Sequence, residues 1–143
     1  MGLAALQRIA PPGWYIIKQD PIVASDWSKP ETDLAMVRGE IADYATRDVT
    51  AGDLGLVVEI ADSSLAVDRE VMGRLYASGG VPAYWIVNLV DGLAEVHSDP
   101  DPVQGYRSRV DHRRGDSIAV ALDGLEIGRL AVDNLLPAAE SSS

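Results

Sequence analysis

The chain has 143 residues, 47% of them apolar, and a formal net charge of −10. That length suits one domain with a real hydrophobic core. The acidic balance argues against non-specific attraction to nucleic acid or anionic lipid, and the absence of cysteine excludes disulfide and thiolate chemistry.

No apolar run approaches the roughly 18 residues that a membrane-spanning helix needs, and the N-terminus lacks the pattern of a signal peptide. A cytoplasmic location with no membrane partner is therefore expected. Phenylalanine is absent, so Trp14, Trp27, Trp85 and five tyrosines supply all the aromatic bulk.

Residues 1–13 are weakly patterned. MGLAALQRIA can form one or two helical turns, stopped by Pro11-Pro12-Gly13. WYII at 14–17 reads as a short strand, and Asp20 to Pro30 as loop. TDLAMVRG at 32–39 is strand-like, and LGLVVEI at 54–60 is a stronger strand with a near-continuous apolar run. The segment IADYATRDVTAG between them reads as loop with one turn.

Ser63 or Ser64 can cap the next helix. Val67, Val71 and Leu75 recur at helical spacing, with Asp68, Met72 and Tyr76 in the adjacent row. Gly79-Gly80 stops that helix. PAYWIVN at 82–88 reads as strand, turns at Val90-Asp91-Gly92 and returns as LAEVH at 93–97. Strand, strand, helix, strand, strand is an α/β order with a crossover helix.

Asp99-Pro100-Asp101-Pro102 reads as loop and YRSRVDH as strand. SIAVAL is a strand that ends at the Asp123-Gly124 turn. AVDNLL suits a last helical turn, and PAAESSS at 137–143 is a tail. One domain over 1–143 is expected.

Asp33 opens one strand and Glu59 nearly closes another. If those strands are neighbours, the two carboxylates can share a sheet edge and hold Mg²⁺ or Mn²⁺. Such an ion polarises a phosphodiester and acidifies an attacking water. Glu59 is the sharper candidate, because its neighbours are apolar and a buried carboxylate without a partner is costly. The alternative is a strand end satisfied by a cap or an arginine. Asp68 can serve the same cluster or favour its helix N-terminus. His97 and His112 have no companions at metal-ligand spacing and read as ordinary residues. Arg107, Arg109, Arg113 and Arg114 form the basic cluster, and Arg107 and Arg109 share a strand face. They can contact phosphate or pair with surface carboxylates.

ETDLAMVRG, LGLVVEIADSSLAVDR and LYASGGVPAYWIVNL, in that order, resemble the Uma2 family of restriction-endonuclease-like proteins in the PD-(D/E)XK superfamily. The resemblance runs from about Trp14 to Leu136. It implies a restriction-endonuclease-like α/β fold, a mixed central sheet flanked by helices. It further implies a metal-dependent endonuclease that hydrolyses DNA, with Mg²⁺ or Mn²⁺ as cofactor. The family's first acidic position falls on Asp33, with Thr32 replacing the usual proline, and the second on Glu59. The serine pair and helix-starting aspartate fall on Ser63, Ser64 and Asp68. The main-chain carbonyl of Ile60 is a further implied ligand.

Three departures qualify the resemblance. The superfamily's lysine two residues after the second carboxylate is Ala61 here, and the lysine that Uma2 members carry on the following helix is Met72. Methionine supplies neither charge nor a hydrogen-bond donor. Asn88 stands where the family often has aspartate. The stretch before Trp14 is shorter than the family's N-terminal helical region.

A second expectation follows: a catalytically degenerate nuclease fold that acts by binding or assembly. A homodimer is the third. Tyr84 and Trp85 fall on opposite strand faces, which suggests one core and one interfacial residue.

Overall fold

LGLVVEI builds the centre of the fold because both of its faces are covered. The computed structural model describes residues 2–18, 34–46, 49–61 and 68–136. Within them a six-stranded mixed sheet runs in the order β1 (Trp14–Lys18), β2 (Leu34–Arg38), β3 (Leu54–Ala61), β4 (Ala83–Asn88), β5 (Leu93–Asp101), β6 (Gly105–Arg113). Each neighbouring pair is antiparallel except β3 and β4, which are parallel. A parallel pair needs a crossover, and helix α2 (Gly73–Ser78), entered through a π-helical turn at Asp68–Met72, lies on that connection.

Alternation along β3 sorts the core into two layers. Leu56 and Val58 face one way with Met36, Trp85, Val87 and Ala94. That layer is closed by the antiparallel hairpin of β7 (Ser117–Leu122) and β8 (Leu125–Ala131), and by α1 (Gly2–Ile9) through Leu6. Val57 and Ala61 face the other way with Val37, Tyr84 and Ile86, under Leu75 and Tyr76 of α2. One face thus carries the crossover helix and the other a hairpin plus a short helix. Gly55 permits the hairpin's approach: a Cβ there would stand 2.6 Å from Leu122 Cδ2 and 2.8 Å from the Trp14 ring.

The Gly79-Gly80 stop is a Schellman closure. The Gly80 N–H donates to Ala77 O (3.0 Å) and the Val81 N–H to Tyr76 O (3.0 Å), with Gly80 at φ +83°. Three sequence expectations are refined. Residues 99–101 continue β5 instead of leaving it as loop. β4 has already ended where Ala83 meets Ser98, so Pro100, paired only with Tyr106 of β6, forfeits no bond to a second neighbour. The segment between β2 and β3 contains two 3₁₀ turns, Ile41–Tyr44 and Ala51–Asp53. The last expected helical turn is a 3₁₀ turn at Val132–Asn134.

Candidate functional site

Glu59 is the sixth residue of β3 and 8% exposed. It points to the layer under α2, where the Tyr76 hydroxyl donates to its Oε1 at 3.3 Å. Tyr76 is fully buried, its ring 5.2 Å from that of Tyr84. The carboxylate that was expected to need a partner at this position has one in a helix tyrosine.

The other expected site residues are placed less completely. Leu34, the first described residue of β2, pairs with Val58, next to Glu59. Asp33 lies outside the described residues, as do Ser63 and Ser64. Asp68 opens the π-helical turn, and only its backbone is described. A π turn closes i to i+5, so the i, i+4 row expected for Asp68, Met72 and Tyr76 is rotated between Asp68 and Met72. Ile60 pairs with Val87, and its side chain, 41% exposed, points to the opposite face from Glu59. Among the described residues no group of three His, Cys, Asp or Glu side chains comes together as a metal cage.

Met72 and Ala61 occupy the two lysine positions that the family resemblance singles out. Ala61 is fully buried. Met72 is half-buried against the cluster that holds Tyr76, Tyr84 and Ile86. Its thioether extends the apolar layer beside Tyr76, the partner of Glu59.

A second carboxylate on this face escaped the sequence reading. Register aligns Glu59 with Ile86, Ile86 with Glu95, and Glu95 with Asp111. Neighbouring strands are about 4.8 Å apart, which separates the backbones of Glu59 and Glu95 by roughly 10 Å. Glu95 has no exposed surface. Its Oε2 accepts from Asn88 Nδ2 at 2.9 Å and lies 3.4 Å from Arg109 Nη2, and its Oε1 meets His97 Nε2 at 3.1 Å. Asn88 also donates to Asp91 Oδ2 (3.0 Å) and accepts the Asp91 N–H (2.9 Å). The signal was present: Glu95 stands between Ala94 and Val96 just as Glu59 stands between Val58 and Ile60. His97, read as ordinary, therefore has a buried acidic partner two residues away.

The basic cluster is spent largely on carboxylates. Arg107 pairs with Asp99 at 2.9 Å, a contact that pushes its guanidinium further up, and lies 4.0 Å from Asp101. Asp101 accepts the N–H groups of Gln104 and Val103, and these, aided by Arg107, hold its carboxyl below the usual range. Arg109 grips Asp111 through Nε and Nη2 (2.9 and 3.2 Å). Arg114 lies 3.8 Å from Asp133.

Tyr84 and Trp85 fall on opposite faces as alternation predicts, but each is enclosed within its own layer. Neither is an interfacial residue, because the β7–β8 hairpin closes over Trp85.

A family model described as "Uma2: Putative restriction endonuclease" matches residues 3–133. No curated protein matches the chain. Among solved structures, the fold is similar to that of "a putative nuclease belonging to DUF820" from Anabaena variabilis ATCC 29413, with a TM-score of 0.68 at 13% sequence identity. The similarity covers 94% of this chain and 75% of that one.

Proposed function

The chain belongs to the Uma2 family, and from that premise we propose that it is a nuclease-fold protein with a degenerate catalytic centre, acting by binding or by self-assembly. The observation that carries this reading is Met72. At the place where the family resemblance puts a charged lysine, an uncharged thioether packs into the apolar layer over Tyr84 and Ile86. Activating water for phosphodiester attack needs a group that holds or moves a proton or steadies developing negative charge. A methionine does neither.

The test is Met72→Lys. The purified variant is incubated with supercoiled DNA and Mg²⁺ or Mn²⁺ beside the parent protein. Nicking by the variant alone supports the reading. Nicking by the parent that disappears in Glu59→Ala overturns it.

A second reading is an active metal-dependent DNA endonuclease, and Glu59 favours it. A carboxylate kept near a strand end inside an apolar layer is costly unless it is used or satisfied. In this reading Asp33 and Glu59, with the Ile60 carbonyl, would hold Mg²⁺ or Mn²⁺, and Asp68 would serve the same cluster. Such hard oxygen donors suit either ion. The ion would acidify a bound water and polarise the phosphodiester. Tyr76 would then hold one Glu59 oxygen still, and the low-dielectric layer would strengthen the charge interaction.

Self-association belongs to the first reading. With Tyr84 and Trp85 both enclosed, a homodimer has to use another surface. Light scattering at micromolar concentration tests it, and a monomeric mass there refutes it.

A further inference from the structure

The edge strand β6 offers that surface, and we infer that two copies of this chain join edge to edge through β6, antiparallel and centred on Val110. The inference rests on the self-assembly reading and names where assembly occurs.

Three observations carry it. First, β6 ends the six-stranded sheet among the described residues, so one side of a nine-residue strand has no neighbour. An unpaired edge presents a row of N–H and C=O groups that can template another strand. Second, an apolar row crosses the sheet in register and stops at that edge. Val58 pairs with Trp85, Trp85 with Val96, and Val96 with Val110. The first two are buried and Val96 half-buried, while Val110 is 50% exposed. A second copy would extend the row as Val110, Val96, Trp85 and Val58 of that copy.

Third, the charges of β6 are compatible with the register that centres the valine row. Directly opposed residues in an antiparallel pair point to the same face, so a two-fold axis through the sheet must pass through a residue position. Centred on Val110, the strand sets Val110 against itself, Arg109 against Asp111 of the second copy, and Ser108 against His112. On one face each copy's Arg109, already holding its own Asp111, then lies beside Asp111 of the second copy and closes a four-charge ring, and the valines meet on the other face. Centring on Arg109 or on Asp111 would instead stack like charges on the axis, which is unfavourable. The opposing cost is Arg107 against Arg113 at each end. Asp99 already compensates Arg107 at 2.9 Å, so its charge reaches the joint partly neutralised. Charged side chains on an edge normally discourage pairing. Here their order, Arg109-Val110-Asp111, is self-complementary when reversed.

The area joined by one strand edge is small, so micromolar association is the scale expected. Because the chain has no cysteine, single-cysteine variants give a clean test. Opposed residues sit about 4.5 to 5.5 Å apart at Cα, within disulfide reach. Two copies of Ser108 in this register would be separated by roughly 13 Å, beyond reach. Val110→Cys is oxidised at micromolar protein, with half-buried Ser108→Cys and exposed Leu125→Cys as controls, and the parent is sized by light scattering.

The expected result is a dimeric parent, rapid covalent dimer formation by Val110→Cys, little by either control, and a monomer for Val110→Pro, which removes an edge N–H. A dimeric parent whose Val110→Cys crosslinks no faster than Leu125→Cys overturns this surface and leaves self-assembly standing. A monomeric parent overturns both. If Val110→Pro fails to fold, Val110→Lys takes its place, and a Lys variant that still dimerises counts against the proposal.

Discussion

Asn88 and Glu95, seven residues apart across the β4–β5 turn, are joined side chain to side chain at 2.9 Å in the buried layer beneath α2. The same Asn88 amide donates to Asp91, so one NH₂ group serves two carboxylates. This relationship gives the amide at position 88 a structural role. A third carboxylate would face Glu95 and Asp91 without a proton to share.

Asn88→Asp should therefore destabilise the fold strongly, by about 3 kcal/mol, the scale of an uncompensated buried charge. Urea unfolding followed by tryptophan fluorescence reads this as a lower midpoint. An unchanged midpoint would mean that Glu95 does not depend on the Asn88 amide.

Tyr76→Phe removes one donor to Glu59 while keeping the ring against Tyr84. The hydrogen bond is long, so the expected loss is about 1.5 kcal/mol, at the low end for a bond to a charged acceptor. Urea unfolding reads the loss, and an unchanged midpoint would separate Tyr76 from Glu59.

Burial pushes the Tyr106 phenol well above its ordinary range, and its hydroxyl donates to Val81 O at 2.7 Å. Burial favours the neutral phenol, so the folded chain keeps a proton that the unfolded chain releases above about pH 10. This contribution to stability is complete below that pH and falls as pH rises beyond it. Tyr106→Phe should flatten the alkaline stability slope by one proton. Equal slopes in parent and variant would contradict the burial argument.

Gly55→Ala places a Cβ against Leu122 and the Trp14 ring, both of which pack the hairpin side. Overpacking of this kind costs about 1–3 kcal/mol. The expected result is a lower thermal midpoint, and a neutral substitution would show that the hairpin can shift outward freely.

Much of the architecture was legible in the chain because its signals are local. The apolar run of β3, the glycine stop of α2 and the tight turn between β4 and β5 each depend on neighbouring residues. The extension of β5 through Pro100 was not legible. It depends on β4 having ended beside Ser98, a fact about a neighbouring strand. Glu59 was picked out by its apolar flanks. Glu95 has the same flanks but lies in no family motif, so its burial shows only once the strands are set side by side.

Residue identity and spacing alone carried the family resemblance and the α/β order. Tertiary structure decided who partners whom. Tyr76 meets Glu59 because a crossover helix returns over β3. Asn88, His97 and Arg109 converge on Glu95 because antiparallel register sets three strands side by side. Trp85 is enclosed, and Val110 is left at an edge, because the β7–β8 hairpin covers only part of its face. Strand register and layer order are long-range choices, and no local window of sequence contains them.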